Sequence, residues 1–141
     1  MTALTYPKVY SKLADNKKRV FPIAASVVVW EGGLGAIVAG SGAGAAVAPA
    51  SVAANLKIVG VATGTYDNRI APSTPLTGEF ERGVFLLNND ATDPVDISWI
   101  GQPVYASDDN TVSKTSASGT KSQAGTLFAL DPSGAVWVEI V

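Results

Sequence analysis

Cysteine and histidine are both absent from the 141 residues, and methionine occurs once. That excludes disulfides, thiolate nucleophiles, imidazole bases and Cys/His zinc sites together, and it fits synthesis in a reducing cytoplasm. No signal peptide is read, because the first apolar run comes late and lacks a charged-then-hydrophobic design. Charge is sparse, at 16% of residues, and unevenly placed. Residues 1–24 hold five basic residues against one acidic, a net +4, while residues 25–141 hold five against eleven, a net −6. A basic arm thus precedes an acidic body, and such an arm suits an acidic surface, including that of a neighbouring copy.

Large apolar side chains are also few. Alanine supplies 21 residues and glycine 14, so about a quarter of the chain buries little surface. The length suits one domain with a modest core, which gains from covering its apolar patches with a partner or with copies of itself.

What is present reads as short strands. Ala25–Trp30 is β-branched and ends at Glu31-Gly32-Gly33, with Leu34–Ala39 as a return strand. Leu56–Thr63 follows, with Gly60 marking a bulge or a close backbone approach. Glu79–Leu87 alternates and then runs apolar, so one strand is expected to enter from an edge and finish buried. Asp93-Pro94 suggests a brief helical turn through Trp99, with Asp93 as cap. Two hairpins are expected at the end of the chain. One turns at Ser107–Asn110, the other at Asp131-Pro132-Ser133-Gly134 between Leu127–Leu130 and Ala135–Val138. Val136, Val138 and Ile140 then share one face, and Trp137, Glu139 and Val141 the other. Seven or eight strands without a long helix indicate an all-β fold, a small β-barrel or β-sandwich (25–141) with an extended N-terminal arm (1–24). The arm's Tyr6, Val9, Tyr10 and Leu13 have weak helical spacing, interrupted by Pro7 and closed by Pro22.

Several motifs point elsewhere and fail. Gly32 to Leu56 has no charge, but its six glycines and its polar residues dilute the energy of membrane insertion, and no aromatic or basic flanks anchor it. Gly40-Ser41-Gly42-Ala43-Gly44 misplaces the third glycine of GxGxxG and lacks the Lys-Ser/Thr of a P-loop. Lys17-Lys18-Arg19 has no interleaved aromatics, and the overall acidic chain lacks a nucleic-acid footprint. Asp90, Asp93 and Asp96 recur every third residue without the glycine and terminal glutamate of a calcium loop. Asp108-Asp109 suits a turn better than a carboxylate pair facing one substrate. The chain is therefore read as a non-enzyme with no cofactor, no metal, no nucleic acid and no membrane. An alternative is a β-sandwich carbohydrate-binding module using Trp30, Trp99 or Tyr105 as stacking platforms.

The order of short motifs resembles the capsid cement, or head decoration, proteins of tailed bacteriophages over most of residues 26–141. The series is Val29-Trp30-Glu31-Gly32, Ala48-Pro49-Ala50, Ile58–Ala62 with Asp67-Asn68, Arg82-Gly83-Val84-Phe85 with Asn88, Ile100–Tyr105, Asp108–Val112, Ala124-Gly125 and Val136-Trp137-Val138. The resemblance implies a small β-barrel-like protein, made in the bacterial cytoplasm and residing on the outer surface of the virion. Its partners would be the major capsid protein and itself, as a trimer rather than a dimer, at junctions between capsomers. Another virion component, from tail or baseplate, is the near rival. Expected contacts are Tyr6, Lys8, Tyr10, Lys12, Lys17, Lys18 and Arg19 on the arm, and Trp99, an indole where the family pattern has a polar residue.

Overall fold

The computed structural model describes residues 17–70 and 75–141. Over these the chain is all-β, as expected, with twelve short strands and a single 3-10 turn at Ile97–Trp99. The strands are β1 (Lys18–Pro22), β2 (Val28–Val29), β3 (Leu34–Val38), β4 (Ala48–Pro49), β5 (Leu56–Ala62), β6 (Tyr66–Asp67), β7 (Thr77–Glu81), β8 (Gly83–Asn89), β9 (Pro103–Ala106), β10 (Thr111–Ser113), β11 (Gln123–Leu130) and β12 (Val136–Ile140). They form an antiparallel sheet in the order β1-β7-β5-β3-β4, a closed barrel in the order β10-β8-β12-β11-β9, and a small ribbon of β2 and β6. The sheet curls until its edges touch. Val47 N–H donates to the Pro22 carbonyl at 2.8 Å, and Ala24 N–H returns a bond to Val47 at 2.8 Å.

Two cores follow from the alternation of side chains across β3 and β5. Leu34 and Ala36 of β3 join the barrel residues Leu87, Val104, Val112, Leu127, Val136, Val138 and Ile140. On the opposite face Ile37 packs with Ile23, Val29, Val47, Val59, Ala62 and Phe80. β5 changes phase partway along. Ile58 packs towards the barrel and Val59 away, but Val61 again faces the barrel and Ala62 the second core. Gly60 makes the switch at φ +144°, a conformation that L side chains rarely adopt, and a Cβ there would lie 2.7 Å from the Glu81 carbonyl oxygen. Both hairpins at the end of the chain form as the turn residues dictate. Asp131 N–H bonds the Ala135 carbonyl at 2.9 Å across a turn whose Gly134 has φ +94°.

Several boundaries differ from those expected. Ala25–Trp30 shrinks to β2, since Ser26 sits at φ +65° and Gly33 N–H closes a turn onto Trp30 at 3.0 Å. β2 pairs with β6, and β3 pairs with β4 and β5. The single strand read over Glu79–Leu87 is two, broken at Arg82: β7 belongs to the curled sheet and β8 to the barrel. Its end is buried on one face only: Leu87 is core, but Val84 and Leu86 face outward at 38% and 45% exposure. The helical turn begins three residues later than read, with Asp96 as cap in place of Asp93. Within the segment expected as an arm, 1–24, Lys18–Pro22 is a strand paired with β7 and Ile23 is core. The arm's helical spacing at Tyr6 to Leu13 lies outside the described residues.

Gly35 supplies a steric test. A Cβ there would overlap the Phe80 ring and lie 2.8 Å from Val47 Cγ1, whereas one at Gly44 meets nothing within 4 Å. Gly35→Ala is expected to destabilise by about 1–3 kcal/mol through overpacking. Gly44→Ala is expected to stay within about 0.5 kcal/mol. In urea unfolding, Phe80→Leu should offset part of the Gly35→Ala cost when the two are combined.

Candidate interaction surfaces

The basic triplet does not act as a block. Strand alternation leaves Lys17 and Lys18 exposed and turns Arg19 inward, half-buried. The Arg19 guanidinium lies 5.2 Å from the centroid of the Phe21 ring, and its Nη2 donates to the Val59 carbonyl at 2.9 Å. Its Nε is buried without a hydrogen-bond partner. Arg19 faces a half-open cleft of about 560 Å³, walled by β1, β3 and β5 on one side and by Gln123–Thr126 of β11 on the other. The β9–β11 pairing slips between Gln123 and Gly125, so the β11 wall is irregular there.

Trp99 stands on the 3-10 turn, half-buried against the barrel core. Its Nε1–H donates to the Pro103 carbonyl at 2.8 Å, and the Lys114 ammonium lies 5.0 Å from the ring centroid. The indole is thus engaged within the chain. Tyr6, Lys8, Tyr10 and Lys12 lie outside the described residues.

Sequence reading missed the outer face of the barrel. On β12 Val136 and Val138 point inward, which leaves Trp137 and Glu139 outside; Trp137 sits opposite Leu86 of β8 and Ala129 of β11, and Glu139 opposite Val84. Phe128, at the bulge in β11, is 56% exposed. Val84, Leu86, Trp137 and Phe128 give the barrel an apolar outer stripe of adjacent strands. The signal for it was present in Val84–Leu87, whose continuous apolar run suggested burial on both sides.

The aspartates serve turns. Asp90 accepts from Ser107 Oγ at 2.7 Å and from Thr92 N and Oγ1 at 2.9 and 2.8 Å, and it pairs with Lys121 Nζ at 3.5 Å. The Ser107 and Thr92 bonds hold its carboxyl well below the usual carboxylate range. Asp93 accepts from the Thr115 hydroxyl and amide, and Asp96 from the Ser98 hydroxyl and amide, and both are lowered for that reason. Asp109 shifts the other way, raised first by burial and then by the charge of Asp108. Among the described residues no three acidic side chains are grouped to hold a metal ion, and no helix is long and apolar enough to cross a membrane. Trp30 is 54% exposed, but Arg69, itself paired to Asp67 at 2.7 Å, lies 6.0 Å over its ring. No protein-family model, curated protein or solved structure matches the chain.

Asp90 supports a pH prediction. Its folded pKa is lowered, so its stabilisation is complete above the ordinary value of 3.8 and is lost as pH falls through the folded value. Asp90→Ala should cost about 2–3 kcal/mol at pH 7, because Lys121 and Ser107 lose their acceptor. In guanidinium titrations the gap to the parent protein should narrow steadily below pH 3.8.

Proposed function

We propose that the protein is a structural component of a phage virion that binds the outside of the assembled capsid and bridges neighbouring major capsid protein subunits. The observation that carries this reading is the apolar stripe on the outer barrel face. A closed barrel has satisfied its backbone bonds and filled its interior, so outward Leu86 and Phe128 add little to the fold beyond cross-strand packing, while the Trp137 ring beside them also bonds Asp131. Aromatic and aliphatic side chains in such a row are the usual centre of a protein interface. The stripe suits self-association, and the exposed Lys17 and Lys18 at the start of β1 suit an acidic shell surface. Several modest contacts per oligomer then act as a durable clamp, since each later contact forms at high effective concentration. The order of short motifs along residues 26–141 supports the same reading.

The test is co-sedimentation with expanded tailed-phage shells stripped of outer surface proteins, with solution mass measured alongside. Saturation at a fixed number of copies per capsomer junction is expected. Leu86→Lys should raise the self-association constant for dissociation by about thirtyfold, as loss of an interface hot spot does. A folded protein that binds no shell form sinks the proposal and directs the search to tail structures.

A further inference from the structure

The cleft beside Arg19 raises a separate question, independent of what the barrel face contacts. Arginine carries five N–H donors in a planar fork, and burying them without acceptors is costly. Here one donor reaches the Val59 carbonyl and the buried Nε reaches nothing. No carboxylate side chain lines the cleft. The two ion pairs among the described residues, Arg69–Asp67 and Lys121–Asp90, involve neither Arg19 nor the cleft's second cation, Lys57. Burial and the nearby charge of Arg82 push the Arg19 guanidinium below its usual range. Val141 closes the lining, and Arg19 is a cation held, partly desolvated, against an aromatic ring with no ion pair made to it.

The rest of the wall mixes apolar side chains with polar groups. Phe21, Ile37, Leu56 and Ile58 line the same space, with Gln123 and Thr126 as the polar groups across from them. A volume of about 560 Å³ falls in the range of small-molecule sites, which combine mostly apolar walls with a few placed polar groups.

We propose that this cleft binds a small amphiphilic carboxylate, its head on Arg19 with Lys57 at the rim and its apolar body along Phe21, Ile37, Leu56 and Ile58. The carboxylate accepts from the guanidinium N–H groups that face the cleft and offsets the repulsion from Arg82, while the body displaces water from the apolar side chains. The same chemistry could reach the cleft on an acidic side chain of another protein, so the two sources need separate arms.

The probes are octanoate, octanol and a capped Leu-Glu-Leu peptide, each titrated into 15N-labelled protein, with melting temperature as a second readout. Octanoate should saturate with amide shifts centred on Arg19, Lys57 and Gln123–Thr126 and should raise the melting temperature. Octanol and the peptide should each bind at least about tenfold more weakly, the loss expected for a missing charged hydrogen bond or a poorer fit. Arg19→Gln should weaken octanoate by about tenfold or more. Lys57→Glu, on an exposed residue whose change spares the core, should weaken it about threefold and serves if the first variant does not fold. Equal binding of octanoate and octanol overturns the proposal, as do shifts centred elsewhere or affinity unchanged in the folded variants. Tighter binding of the peptide overturns the assignment to a free ligand.

Discussion

Phe80 needs room, and the way the chain makes that room shapes the curled sheet. Its ring is fully buried, 6.2 Å from Phe21 and 6.0 Å from Tyr66. Gly35, on β3, leaves open the space that the ring fills, and Gly78 does the same for the Tyr66 ring and the end of Ile23. Small residues on one strand are thus matched to large ones on another, which is how an alanine- and glycine-rich chain reaches close packing with few aromatics. With Phe80 seated, the edges of the sheet meet at Val47, and the other face of β3 and β5 is left to complete the barrel core. Both cores depend on this one arrangement, because β3 and β5 contribute to each.

Legibility in the sequence tracked the locality of the cause. The hairpin at Asp131–Gly134 and the turn at Ser107–Asn110 were readable, since their side chains bond backbone two residues away. Gly60 was readable as an exception, though not the change of phase that it produces. The break at Arg82 was hidden inside a continuous strand-like pattern, because what separates β7 from β8 is their membership of different sheets. Ser26 at positive φ was equally hidden, since serine carries no signal for that conformation as glycine does. The cap shifted from Asp93 to Asp96 because both are aspartates and tertiary bonding decides between them: Thr115, from after β10, claims Asp93.

The interaction surfaces were less legible than the fold for the same reason. Lys17-Lys18-Arg19 reads as one charge run, but a strand sends its middle and last residues to opposite faces, and only the pairing of β1 with β7 shows which goes in. Trp99 stood out by type, yet the fold uses it locally, with its N–H spent on Pro103. Trp137, read only as a face residue of the last strand, lies half-buried on the outer face, where β8 brings Leu86 beside it. Residue type named candidates, and register sorted them.

Polar chemistry divides along the same lines. The Asp90–Lys121 pair is mostly buried, and it is surrounded by donors: Lys121 also bonds Ser107 and Ser113, each at 3.1 Å. This network joins the end of β8 to β10 across the one parallel pairing of the barrel, where evenly slanted ladder bonds are slightly weaker per residue. Every charge in it has a partner. Arg19 differs in that a comparably enclosed cation is left with donors unused beside an open volume. Satisfied charge at the end of the barrel stiffens the closure of strands, whereas unsatisfied charge between barrel and sheet leaves binding energy to be gained from outside the chain. That contrast, rather than the number of basic residues in the N-terminal segment, separates an arginine that organises the fold from one positioned to receive a ligand.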